Sequence, residues 1–245
     1  MDNYFVSSCK RVKDWICRQF GQKEKKTVHH KKFADGGEVI VWETGRAGEE
    51  AASYENLFLR KEIAGFRTNI RREQSCSIKS LTRDYLYKQL LSSGEYTFDH
   101  MLVIKDPYGE APLTALALFI LEEPACVRVT TKGNLKETDF VTELPKKKEH
   151  RVPILGMYAE KANDIVIEIL DDEGNCVKSH TFTIRTKRLP KSLRNVITVK
   201  KWTDKPAYSN IMINGGVKIH TCVFDIEGEI RYYLSRKPRG YGIFP

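Results

Sequence analysis

After Tyr96 the texture of the chain changes: helical spacing of apolar residues gives way to short β-branched runs separated by turn residues, and the first proline appears only at Pro107. Apolar residues recurring every second position cannot fold as a helix, because a helix of 3.6 residues per turn would scatter them around its whole circumference. The clearest unit runs from Asp164 to Leu170, with Ile165, Ile167 and Ile169 on one face. It continues through the turn Asp171-Asp172-Glu173-Gly174-Asn175 into Cys176 to Thr186. That pattern predicts a β-hairpin. Further strands are predicted at Met101 to Lys105, Leu113 to Leu121, Cys126 to Thr131, Asp139 to Glu143 and Val152 to Tyr158, each bounded by Pro, Gly, Asn or Asp. Their regular spacing predicts a β-sandwich. A second hairpin is predicted from Val217 to Phe224, through Asp225 to Gly228, to Glu229 to Leu234. The turn Asn214-Gly215-Gly216 leads into it, and a linker punctuated by Leu189-Pro190 and Lys205-Pro206 separates it from the first.

Upstream of residue 95 the reading is helical. From Tyr54 to Ser92, Ile63, Phe66, Ile70, Ile78, Leu81 and Tyr85 repeat every three to four residues, and Ser92-Ser93-Gly94 marks the stop. A short strand is expected over Glu38 to Glu43, after the turn Asp35-Gly36-Gly37. From Tyr4 to Phe20, Phe5, Cys9, Val12, Trp15, Ile16 and Phe20 fall at helical spacing with Lys and Arg between them, which predicts a short amphipathic helix with a basic face. The divisions expected are a basic arm (1–53), a helical region (54–95), a β-sandwich (96–204) and a last segment (205–245).

The formal net charge of +9 is concentrated at the start, where nine Lys or Arg lie between Lys10 and Lys32 against Asp14 and Glu24 alone. Nucleic acid or an anionic surface is therefore open as a partner of the arm, and the arm docking its Trp15 face on the protein's own body is the plainer alternative. A second copy of the chain is open as well. The longest apolar run, Ala115 to Leu121, is strand-sized, far short of the roughly 18 residues a membrane-spanning helix needs. Residues Met1 to Lys13 lack the apolar stretch of an export signal, so a cytoplasmic location is expected. Cys9, Cys17, Cys76, Cys126, Cys176 and Cys222 are scattered with no C-x-x-C pair, so free thiols are expected, and Cys9, Cys17, His29 and His30 lack the paired spacing of a zinc ligand set.

None of His29, His30, His100, His150, His180 and His220 sits in a local signature of a base, ligand or nucleophile. The chain has no G-x-S-x-G, no H-E-x-x-H, no P-loop and no G-x-G-x-x-G. No catalytic, cofactor-binding or metal-binding residue is assigned, and no cofactor is expected. Lys146, Lys147 and Lys148 are read as a solvated loop.

Two segments nevertheless carry a resemblance. Val152-Pro153-Ile154-Leu155-Gly156-Met157-Tyr158, followed by Asn163 and by Leu189-Pro190, resembles the start of the arylsulfotransferase N-terminal domain. Phe224-Asp225, Gly228, Ile230-Arg231-Tyr232-Tyr233-Leu234 and Gly240-Tyr241-Gly242-Ile243-Phe244-Pro245 resemble the stretch where that family leads into its β-propeller. Asp106-Pro107-Tyr108-Gly109-Glu110-Ala111-Pro112-Leu113-Thr114-Ala115-Leu116 is similar to gut-type bacterial members. The resemblance implies an Ig-like β-sandwich followed by the truncated start of a β-propeller. It also implies a full-length family that moves a sulfuryl group from a phenolic sulfate ester to a phenol through a sulfo-histidine. The catalytic His and Arg of that family lie in the propeller, so this chain alone is expected to be non-catalytic. The alternative is a free-standing basic module that binds a polyanion or a partner protein.

Overall fold

The architecture is that of a computed structural model, which describes residues 28–33, 37–54, 72–195, 197–198, 210–213 and 220–235. In chain order these form β1 (Val28–Lys32), β2 (Glu38–Trp42), α1 (Thr44–Ala52), α2 (Arg72–Ser92), β3 (His100–Lys105), β4 (Ala115–Thr131), β5 (Phe140–Ile154), β6 (Ala162–Leu170), β7 (Cys176–Arg185), β8 (Asn210–Ile213), β9 (Cys222–Asp225) and β10 (Ile230–Tyr233). The chain is mainly β, as its alternation predicts.

One sheet dominates, in the order β1-β2-β3-β4-β6-β7, with β5 paired to β4. Strand β4 is 17 residues long and β5 is 15, and they run antiparallel along almost their whole length, from Ala115 opposite Ile154 to Thr131 opposite Phe140. The other edge of β4 is divided: Ala115 to Leu118 pair with β3, and Cys126 to Thr131 pair with β6. At about 3.3 Å per residue a straight strand of this length would overrun a small domain. It bends instead where its register to β5 shifts, between Ile120 and Val127. Glu122, Glu123 and Pro124 stand exposed at that bend. Proline has no N–H to give a ladder, so an irregularity is the place in a strand that tolerates it.

The bend brings the two ends of the sheet together. Lys31 on β1 donates its ammonium to the carbonyl of Thr183 on β7. Phe33, just past β1, stacks on His180 of β7 with ring centres 4.0 Å apart. The sheet is thereby nearly closed around a core that includes Val39, Met101, Val103, Ala117, Phe119, Val127, Val152, Ile165 and Ile167, all fully buried. Each isoleucine buried in this way contributes about 1.5–3 kcal/mol.

The outer face of β2, β3 and the first half of β4 is covered in turn by the helices. Ala47 and Ala51 of α1 and Leu86, Tyr87 and Leu91 of α2 pack on Trp42, Leu102, Ile104, Leu116 and Leu118. Both faces of these strands are therefore buried, which is why Met101 to Ile104 and Ala115 to Leu121 read as unbroken apolar runs rather than alternating ones. Strands β2 and β3 are parallel, and the long crossover between them holds both helices. Gly94 ends α2 at φ +70°, its N–H bonded to the carbonyl of Leu91.

The structure departs from the sequence reading at several points. Leu113–Leu121 and Cys126–Thr131, read as two strands, are one bent strand, and Asp139–Glu143 and Val152–Tyr158 merge in the same way into β5. Lys146 to Lys148, read as a loop, lie within β5 with exposed side chains, and Lys146 meets Asp172 at 2.5 Å. The local break signals there are real, but the continuous partner strand carries the ladder through them. Strands β1 and β8 and helix α1 were not expected. The expected helix over 54–92 is present as α2, its earlier part lying outside the described residues, as do the Tyr4–Phe20 helix and the Asn214-Gly215-Gly216 turn. The hairpin β6–β7 forms as read, and β9–β10 as far as it is described. Strands β8, β9 and β10 make one three-stranded antiparallel sheet. A propeller is built from several blades of about four strands, and the described residues do not show one.

Gly156 sits at φ +74°, and a Cβ there would lie 2.7 Å from Cβ of Phe140. Gly94 has a similar φ with nothing within 4 Å of the same position. Gly156→Ala is expected to cost about 2–3 kcal/mol from backbone strain and overlap together, against about 1 kcal/mol for Gly94→Ala. Urea denaturation of the two variants checks the order; equal losses would contradict it.

Candidate functional site

The two segments singled out at opposite ends of the β region meet in one buried cluster. Arg231 on β10 is 1% exposed and Asp225 at the end of β9 is fully buried. The Arg231 guanidinium donates from Nε to the carbonyl of Gly156 at 2.7 Å and from Nη1 to the carbonyl of Thr138 at 2.8 Å. The same Nη1 meets the Tyr158 hydroxyl at 3.0 Å and Oδ2 of Asp225 at 3.2 Å. Its carbon lies 3.9 Å from the centre of the Tyr158 ring, a stacked cation–π contact. Tyr158 completes the triangle by donating its hydroxyl to Asp225 at 3.0 Å, and burial raises the pKa of that hydroxyl.

Local structure explains how each group arrives there. Gly156 takes the left-handed turn that ends β5 and aims its carbonyl inward. Asn163, 2% exposed, accepts the N–H of Tyr158 at 2.6 Å and donates back to the carbonyl of Tyr158 at 3.0 Å, so the Tyr158 backbone is held by a side chain rather than by a strand partner. Asp225 Oδ1 accepts the N–H groups of Glu227 and Glu229, closing the β9–β10 turn, which leaves Oδ2 for Tyr158 and Arg231. The cluster thus joins the β8–β10 sheet to the end of β5.

The third segment, Asp106 to Leu116, forms a second joint on the helix side. Tyr108 donates its hydroxyl to Asp84 of α2 at 2.6 Å, and Arg151 of β5 reaches the same carboxylate at 2.5 Å. Tyr87 of α2 donates to the carbonyl of Pro107, and Arg83 reaches that carbonyl at 2.7 Å. Burial, helped by the Asp84 carboxylate, pushes the Tyr108 hydroxyl up to about 12. The carbonyl of Glu110 accepts the N–H of Ser235 at 2.8 Å, so the loop touches the stretch just after β10 as well.

The histidines are all engaged. His180 is clasped between Phe33 and Phe98, ring centres 4.0 and 4.6 Å away, with Nε2 2.8 Å from Asp99. His150 stacks on Phe119 and places Nε2 2.9 Å from the carbonyl of Lys147. His220 places Nδ1 2.7 Å from the carbonyl of Leu234. His29, His30 and His100 stand near Glu43 or Glu38. Among the described residues no three His, Cys, Asp or Glu side chains gather as a metal site would require. None of the described helices is long and apolar enough to cross a membrane.

One cavity, of about 830 Å3, opens at the bend of β4. Its floor includes Phe98, Leu121, Ile169 and Leu170, and Val177, 67% exposed, stands at its side. Carboxylates ring it. Sequence reasoning passed over this groove, because its rim joins Asp99, the Glu122-Glu123 pair and the Asp171-Asp172-Glu173 turn, which lie far apart in the chain.

Among known families, residues 102–187 match the family model described as the arylsulfotransferase Ig-like domain. The matched stretch runs from β3 to just past β7 and stops short of β8–β10. It takes in Gly156, Tyr158 and Asn163, but neither Asp225 nor Arg231. No curated protein matches the chain significantly.

Two outcomes are expected. Arg231→Ala leaves the Asp225 carboxylate buried without its cation and is expected to cost about 3 kcal/mol or more. In hydrogen exchange β9 and β10 should lose protection while β6–β7 keeps it, and a loss under 1 kcal/mol would contradict the joint. Burial lowers the pKa of His150 below 6.5, so the unfolded chain binds the proton more readily. Stability is then expected to fall as pH drops below 6.5, and His150→Phe should flatten that part of the profile in thermal unfolding scans.

Proposed function

We propose that this chain, whose residues 102–187 match the arylsulfotransferase Ig-like domain, is the scaffold portion of an arylsulfotransferase-like protein and does no chemistry by itself. Its work is positional: it holds the first strands of the next module in a fixed orientation. The observation that carries this reading is the buried Arg231–Asp225–Tyr158 joint, which fastens β8–β10 to the end of β5. Among the residues that bear the resemblance, Gly156, Tyr158, Asn163, Asp225 and Arg231 are spent on that fastening rather than exposed for reaction.

The chemistry that the family name implies needs a free imidazole aimed in line at sulfur, with cationic donors around the sulfate oxygens. The buried imidazoles here are held by aromatic stacking and by hydrogen bonds to backbone or Asp99. The buried guanidinium of Arg231 is occupied by two carbonyls, a phenol and a carboxylate. In the full-length family, phenolic sulfate esters and phenols would be the substrates of the module this domain supports.

Incubated with a phenyl sulfate donor and a phenol acceptor, the purified 245-residue chain is expected to release phenol no faster than buffer. Transfer to the acceptor above that background, abolished by replacing a single histidine, would overturn the proposal.

A further inference from the structure

The groove at the bend of β4 is apolar below and acidic above. Asp99, Glu122, Glu123, Asp171, Asp172 and Glu173 line it with only Lys146 and Lys178, six carboxylates against two ammonium groups, a formal charge of −4. The lysines do not offset the rest, because Lys146 is paired with Asp172 and Lys178 with Asp99, each at 2.5 Å. Glu122, Glu123 and Glu173 have no ion pair among the described residues. The apolar surface is open too: Val177 is 67% exposed, and Pro124, also in the lining, is exposed. A chain of net charge +9 thus keeps a local negative, apolar trough.

The occupant it fits is in the same chain. Residues 4–20 carry Phe5, Cys9, Val12, Trp15, Ile16 and Phe20 at helical spacing, with Lys10, Arg11, Lys13 and Arg18 between them. That combination of an apolar stripe and a basic face is the complement of an apolar floor with an acidic rim. The reach is sufficient. Strand β1 begins at Val28, and its five residues span about 13 Å to the Lys32 end. There Phe33 stacks on one face of His180 and Phe98, a groove residue, on the other. Residues 21–27, seven in all, extend to about 23–25 Å, enough to double back along β1 and cross that one stacked ring.

We infer that the groove at the β4 bend is the docking site of the chain's own basic amphipathic segment, residues 4–20, held by its Trp15 face on the apolar floor and by its cations on the Glu122–Glu123 and Glu173 rim. Docking there also covers the apolar surface that the bend leaves open, and it withdraws the basic face from polyanions.

The native cysteines test this in the intact chain. Cys9 and Cys17 lie on the segment, and Cys126 and Cys176 flank the groove residue Leu170 on its two neighbouring strands. The probe is a short bis-maleimide, used on the Cys176→Ser chain so that Cys126 and Cys176 cannot consume it together, with the link mapped by peptide mass. In monomer at low salt, Cys9 or Cys17 should link to Cys126. The yield should fall several-fold near 1 M salt, where the screening length drops to about 3 Å, and equally in a Glu122→Lys/Glu123→Lys chain whose circular dichroism is unchanged. Links mainly to Cys76, links only between two copies, or a yield untouched by charge reversal would each overturn the inference.

Discussion

The hydrogen-bond ladder between β4 and β5 is the constraint on which the rest of the architecture depends. A strand of 17 residues offers more edge than one neighbour of ordinary length can use, so β4 takes β3 on its first part and β6 on its last, with β5 along the opposite edge. The bend between those parts folds the sheet over its own core and brings β1 to β7. Its cost is a stretch of unpaired backbone and exposed side chains at Glu122 to Pro124. The groove is the direct geometric result, since a sheet cannot turn sharply and keep both its ladder and its covering side chains continuous.

Closure at the other side rests on a different kind of contact. β1 is a polar strand, Val-His-His-Lys-Lys, with little apolar surface to hold it. It is kept by its five-residue register with β2, by Lys31 reaching Thr183, and by Phe33 stacking on His180. Burial, and to a lesser degree the neighbouring Lys105 charge, lowers the pKa of Lys31. Asp99 supports the same corner: its hydrogen bonds to Lys178 and then to His180 outweigh its partial burial and lower its own pKa. Its contribution to stability is therefore present above pH 3.8 and lost as pH falls further, a window separate from that of His150.

How much of this was legible depends on where the determining partner lies. The β6–β7 hairpin was readable because its alternation and its turn residues are adjacent in sequence, and Gly94 was readable as a helix stop for the same reason. The continuity of β4 and β5 was not, since Pro124 and Lys146 to Lys148 are sound local break signals and only the facing strand overrules them. Helix α1 contains Gly45 and Gly48, poor helix formers, and is held by packing of Ala47 and Ala51 under α2. Of the site, the participants Gly156, Tyr158, Asn163, Asp225 and Arg231 were all marked by the resemblance. That Arg231 reaches a carbonyl 93 residues away could not be read from spacing.

The choice of a guanidinium for that joint has a physical logic. An apolar pair in place of Arg231 and Asp225 could fill the space between β10 and the end of β5, and would spare the desolvation of two charges. It would, however, leave the carbonyls of Gly156 and Thr138 without a donor inside the protein, a cost of about 1–3 kcal/mol each. It would also slide freely, because dispersion has no preferred direction. The planar fork of Arg231 accepts only one arrangement: Nε on Gly156, Nη1 on Thr138, its face on the Tyr158 ring. The register of β10 against the end of β5 is then fixed by hydrogen-bond direction rather than by fit alone. On the proposed role of orienting a neighbouring module, directional bonding at the joint would matter more than the extra stability an apolar contact could supply.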